Sequence, residues 1–299
     1  MSRTAELARS GSGTGDLMAL VAAVGFSMKA ILAKLAFRYG VDPTTLLAMR
    51  LLGAAPLFGL VLWRQGPVPL QRRDLWALLG LGLLGYHAAA LLDFLGLIYI
   101  SAGLERLVLY VHPTLVVLLG ALWRRERVRG VEIASLLVCY LGLGVAVAAD
   151  LRVGEPRQVA IGVALVLGSA LCYAVYLLGA DQLGRRLGMQ RISAASNIVS
   201  ALTLGTQVAL TRPVGAVLDW PAPVWGLLVA LVSVSTLLPV LLLASAIGRV
   251  GPGRAATVGM VGPVAAALLG WALLGEPLSL MQLVGGAIVV LGLWLARTR

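Results

Sequence analysis

Charge is what this sequence has least of. Only 12% of its 299 residues are charged, against roughly a quarter in a soluble domain. A solvated globular surface is therefore excluded. Aromatic residues make up 6% of the chain, and there are two histidines and two cysteines. Cys139 and Cys172 each lie inside an apolar run, outside any CxxC or His-spaced pattern. Neither a disulfide framework nor a metal site is expected from them. Lysine is nearly absent: Lys29 and Lys34 stand beside 22 arginines. One stretch matches GxGxxG, "GLGLLG" at Gly80–Gly85, but it sits inside an apolar run rather than after a strand. Its glycines read as sites of close helix approach, and no cofactor is expected.

What is present is apolar length. Hydrophobic residues make up 60% of the chain, and the mean hydropathy is +0.94. About twenty apolar residues cross a bilayer as a helix. Ten such runs occur, at 16–38, 43–63, 74–98, 102–123, 130–149, 158–181, 191–211, 222–247, 252–273 and 279–297. Hydrocarbon offers the backbone no partners, so long runs without alternation are read as helices. The expected class is an all-α integral membrane protein of ten transmembrane helices. Residues 1–15 are small and polar and read as a flexible cytoplasmic tail. The first run reads as a retained span, because no small-residue cleavage site follows a short apolar core.

The net charge of +11 would suit nucleic acid if Lys and Arg shared one face of a folded domain. Instead the arginines come in bursts between apolar runs, as at Arg72–Arg73, Arg124–Arg129 and Arg185–Arg186. The bilayer is the expected partner, and nucleic acid is not. With the N-terminus in the cytoplasm, sixteen of the 24 basic residues fall on that side and four on the other. Such a bias sets orientation and leaves both termini cytoplasmic.

The chain also resembles itself at an offset of 150 residues. Pro113 then meets Pro263, Gly120 meets Gly270, Glu126 meets Glu276, and Gly142 meets Gly292. Each half, 16–150 and 151–299, holds five spans. Five is odd, so the second half enters the membrane inverted. Inverted repeats are a signature of secondary transporters, with the site at their interface. The two copies, "YISAGLERLVLYVHPTLVVLLGALWRRERV" and "GPGRAATVGMVGPVAAALLGWALLGEPLSL", resemble the EamA-type repeat of the drug/metabolite transporter superfamily. The resemblance spans the whole chain. It implies a ten-helix bacterial inner-membrane exporter of amino acids, including aromatic ones, of other metabolites or of cationic drugs. The first copy departs from it by having Arg125 before Glu126.

Candidate site residues follow from cost. Ionisable groups inside spans are functional candidates because burying them is unfavourable. Lys34, Arg50, Asp93, Glu105 and Arg106 gather in the outer half. They read as ion pairs, Arg50 with Asp93 and Lys34 with Glu105, as a mouth for a charged substrate, or as carriers of a coupling proton. Lys29 lies deeper, with no partner assigned. Tyr86, His87, Tyr110, His112, Tyr173, Tyr176, Asn197 and Ser235 are the candidate substrate contacts, each equally suited to packing. Tyr110 and His112 are two residues apart and do not share a helical face. Tyr110 is favoured, because Arg106 lies one turn before it. Pro113, Pro263 and Pro239 would kink their helices around a central cavity and gate it.

The function expected is export of a small-molecule substrate by alternating access. Export of cationic drugs and a membrane-embedded enzyme stay open as alternatives. The enzyme reading lacks a carboxylate or His/Asp cluster near one interface. The sequence leaves the oligomeric state open and is compatible with a monomer.

Overall fold

The structure is a computed structural model. It describes residues 2–124, 130–213, 217 and 219–295, with side chains from residue 13 onward except at 124 and 252. The described residues are helical throughout, with turns between helices and no strand. Eight helices are long and apolar enough to cross a membrane: Gly13–Phe37, Pro43–Arg64, Arg72–Gly96, Ala102–Trp123, Gly130–Leu151, Pro156–Leu187, Ala222–Gly251 and Gly253–Leu274. Two further helices sit where spans seven and ten are expected. Met189–Thr211 is long, but its sequence carries Asn197, Gln207, three serines and three threonines. Leu280–Leu295 is apolar but short.

In chain order the elements are α1 (Ser2–Phe37), α2 (Pro43–Arg64), α3 (Arg72–Gly82), α4 (Ala89–Gly96), α5 (Ala102–Leu109), α6 (His112–Arg124) and α7 (Gly130–Leu151). Then come α8 (Pro156–Leu187), α9 (Met189–Thr211), α10 (Ala222–Val232), α11 (Leu238–Gly259, interrupted at Gly251), α12 (Gly262–Leu269) and α13 (Leu280–Leu295). The helix α1 includes residues 2–15, where a tail is expected. Its apolar span already begins at Gly13, and a Cβ at Gly15 would overlap Val250. Glu126 and the arginines at 125, 127 and 129 lie outside the described residues.

Local chemistry sets the helix ends. Asp42 caps α2 by accepting from the Thr45 amide at 3.0 Å, and Pro43 follows in the first turn, where a missing N–H costs nothing. Gly188, at φ 87°, separates α8 from α9, in a region of backbone space that favours glycine.

Two irregularities recur 150 residues apart. The helix breaks at residues 110–111 and again at 260–261. A π-helical turn joins α3 to α4 at Leu83–Ala88, and another joins α10 to α11 at Ser233–Leu237. Packing follows the same exchange of halves. The first helix packs on α11, while α8 packs on α4 and its π turn. The last helices of the two halves, α7 and α13, pack on each other. There the backbones touch: a Cβ on Gly285 would lie 2.6 Å from the Gly142 carbonyl oxygen, and one on Gly142 would lie 2.6 Å from that of Gly285. Ser135 Oγ also donates to the Gly292 carbonyl at 2.6 Å. Backbone cannot step aside as a side chain can. Gly285→Leu is expected to cost about 2–3 kcal/mol, read as an earlier melting midpoint in detergent. An unchanged midpoint would show that the α7–α13 contact is dispensable.

The prolines depart from expectation. Pro113 and Pro263 occupy the first turns of α6 and α12, just after the breaks, rather than kinking a continuous helix. Pro239 opens α11 directly after a π turn and packs against Gly25. In each case the ladder has already shifted before the proline, so its missing N–H orphans little.

Candidate functional site

Two cavities meet in the middle of the bundle. The larger, about 590 Å³, lies between the early part of α1, the start of α6, the start of α7 and the end of α11. The other, about 450 Å³, lies between α1, α2, the first π turn, α4, α5 and α8. Phe26, Arg106, Tyr110, His112 and Leu243 line both, so together they form one chamber. The size suits a small metabolite.

The charges pair differently from the sequence expectation. Lys29 Nζ donates to Asp93 at 2.5 Å and to Glu105 at 2.9 Å. Glu105 is fully buried and Asp93 nearly so. Lys34 donates to Glu276 rather than to Glu105, and to the Ile100 carbonyl at 2.7 Å. Arg50 does not pair with Asp93. Its Nε donates to Thr236 Oγ1 at 3.0 Å, and its guanidinium lies 5.7 Å above the Phe94 ring. Thr236 stands in the second π turn, where its hydroxyl also donates to the Leu231 carbonyl. Arg106 lies 5.6 Å above the Tyr110 ring, one turn along α5. Sequence spacing finds neighbours one turn apart, such as Arg106 and Tyr110. It does not show which other helices face Lys29.

An aromatic wall closes one side. Tyr173 stacks on Tyr176 at 5.6 Å, Tyr176 meets Tyr86 edge-on at 5.3 Å, and His112 meets Tyr173 edge-on at 5.4 Å. Tyr86, Tyr173 and His112 line the chamber. Tyr176, 2% exposed, lies behind them against Gly85. A Cβ at Gly85 would lie 2.3 Å from the Tyr176 ring. Gly82 is approached by Val199 in the same way, whereas Gly80 faces open space. Tyr110 and His112 both line the chamber, because the break at 110–111 cancels the angular offset of a continuous helix. Tyr110 Oη donates to the Gly259 carbonyl at 2.6 Å.

The other candidates lie elsewhere. Ser235 lines the chamber with its hydroxyl donated to the Leu231 carbonyl. Asn197 is buried and donates to the Ser193 carbonyl at 3.1 Å within α9. His87 Nδ1 lies 2.9 Å from Thr203 Oγ1, turned toward α9 and away from the chamber lining. His87→Ala is accordingly expected to keep substrate affinity within about twofold, as for substitutions off a site. A tenfold loss in a binding assay would place His87 in the site. Among the described residues no cluster of His, Cys, Asp or Glu could hold a metal ion.

One feature was not expected from the sequence. Beyond the chamber, at the end where α1 finishes, Glu276 bridges three elements. Its Oε2 accepts from the Ala102 amide, the first of α5, at 2.9 Å. Its Oε1 accepts from Lys34 of α1. Gly275, at φ 71°, turns the chain after the third π turn so that this carboxylate points back. A carboxylate at a helix N-terminus is favoured by the exposed amides and the helix dipole. Arg38 donates to the Leu274 carbonyl beside it. Asp150 ties the Ser101 amide at 3.0 Å to Gln282 on α13. These polar bonds link both halves at the end where α1 finishes. The spacing from Pro263 to Glu276 was the only sequence signal for it.

The model of the EamA-like transporter family matches residues 13–148 and again residues 160–298. The chain belongs to this family. Its two matched segments are the two halves found in the sequence and in the recurring helix irregularities. The chain is 31% identical over 281 residues to the uncharacterized transporter YcbK of Bacillus subtilis, covering 91% of this chain and 88% of that one. It is 26% identical over 269 residues to an uncharacterized transporter of Archaeoglobus fulgidus, covering 88% and 93% respectively. A solved crystal structure shares the fold, with a TM-score of 0.64 at 20% identity over 95% of this chain and 98% of that one. This EamA-family chain is thus a multi-pass membrane protein, and its relatives point to transport rather than to enzymatic chemistry.

Proposed function

We propose that the chain is a secondary exporter of small metabolites, amino acids foremost and aromatic ones among them. It works by alternating access in a bacterial inner membrane. Its ten helices form two inverted five-helix repeats, with both termini in the cytoplasm. The observation that carries this reading is a chamber between the halves, with Lys34, Glu276 and the start of α5 bonded together beyond it; we read that bonded cluster as its closed end. With cytoplasmic termini, the closed end faces outward and the conformation is one that excludes the outside. Rocking of one repeat against the other would break the Glu276 bridge and open that end. The test is counterflow in proteoliposomes with labelled amino acids. Saturable exchange that unlabelled substrate accelerates is expected. Absence of saturable flux across amino acids and related metabolites would reject the reading.

A further inference from the structure

We infer that the chamber binds a solute bearing one carboxylate and a flat apolar body, with Arg106 as its anchor and Arg50 as a second cation. This deepens the transporter reading and rests on it for its purpose.

Five acidic or basic side chains surround the inner part of the chamber: Lys29, Arg50, Asp93, Glu105 and Arg106. Three are basic and two acidic. A further carboxylate, Glu132, lines the α7 end of the chamber and is not free. Both inner carboxylates are spent on the Lys29 ammonium, and Glu105 is wholly buried. No carboxylate is left free to hold a cationic solute. The two guanidinium groups are in the opposite position. Arg50 is held by a neutral hydroxyl and a ring face. Arg106 lies over a ring face, and its buried Nε has no acceptor. Neither forms an ion pair with any described residue, yet both line the cavity. Asp93 acts on Arg50, and Glu105 on Arg106, only from beyond ion-pair distance, so neither guanidinium within the spans has an anion in contact.

The missing partner is an anion. A guanidinium presents a planar fork of N–H donors that fits a carboxylate or phosphate bidentately. Around the inner part of the chamber the excess of one positive charge matches a monoanion, whereas a phosphate dianion would overshoot it. Tyr110 holds the Arg106 guanidinium from one face, so the fork is already oriented. Tyr173 and His112, packed together at 5.4 Å, line the same cavity, a surface suited to a ring or other flat apolar group.

The test uses the full chain in nanodiscs and four probes of one shape: 3-phenylpropionate, L-phenylalanine, phenylethylamine and phenyl phosphate. The two carboxylates are expected to bind, with phenylethylamine and phenyl phosphate at least about tenfold weaker. Arg106→Gln should weaken 3-phenylpropionate about 30-fold, as loss of a bidentate charge-assisted contact does. Arg106→Lys should recover only part of that loss, because it keeps the charge without the fork. Tighter binding of the amine or the phosphate overturns the inference. So does Arg106→Gln with native affinity, or binding of none of the four. Counterflow on the same preparations separates the two ideas. Transport of solutes without a carboxylate leaves the transporter reading standing and this inference rejected. Arg106-dependent carboxylate binding without flux does the reverse.

Discussion

Lys29→Met should be the most damaging single side-chain change in the protein, costing about 3–5 kcal/mol of stability. The substitution roughly preserves the length of the stem. It removes the one ammonium that Asp93 and Glu105 share at 2.5 and 2.9 Å. Both carboxylates then remain buried with no counter-ion in contact, each already having one oxygen without a hydrogen-bond partner. The expected readout is a large drop in melting midpoint, or loss of the monodisperse species in detergent. A triple variant, Lys29→Met with Asp93→Asn and Glu105→Gln, should recover most of the loss. It removes all three charges together, and a neutral polar cluster is far cheaper to bury than an unpaired ion. Native-like stability of Lys29→Met alone would mean that the carboxylates do not depend on the ammonium.

Glu276→Ala carries the second large effect, this time on the conformational equilibrium. It deletes one bond from the Ala102 amide and one from Lys34. Hydrogen bonds to charged groups contribute about 1.5–3 kcal/mol each. Losing both should shift the equilibrium away from the outward-closed state by at least about a hundredfold. A cysteine placed at Leu97, buried beside Lys34 and Glu276, should then react with a membrane-impermeant maleimide much faster than in the parent. Glu276→Gln keeps an acceptor for Ala102 and should fall between the two. Equal labelling of Glu276→Ala and the parent would show that the bridge does not hold this end shut.

The carboxylate involved in that second prediction shows how far the sequence could be read. Its match to Glu126 at the same distance from a proline marked it as part of a repeated element. Nothing in that match named Lys34 or the Ala102 amide as its partners. Those lie 242 and 174 residues away along the chain, and only the turn at Gly275 brings them within reach. The prolines teach the same lesson. Pro113 and Pro263 were legible as a matched pair, but their place after a break was not. A helix break and a proline give one and the same signal in composition.

By itself the sequence determined the class of the protein, the positions of its helices and the twofold repetition. Each of these depends on local or summed properties: length of apolar runs, caps such as Asp42, and identity of residues at one fixed offset. Tertiary structure alone decided which charges meet. Lys29, the residue left without a partner in the sequence, proved to hold both buried acids, while Arg50 and Arg106 were left with none in contact. Ion pairing acts over a few ångströms between helices distant in sequence, so it depends on packing rotations that no periodicity records. The chemistry of the chamber follows from that choice, because the cations left over are the ones that face its interior.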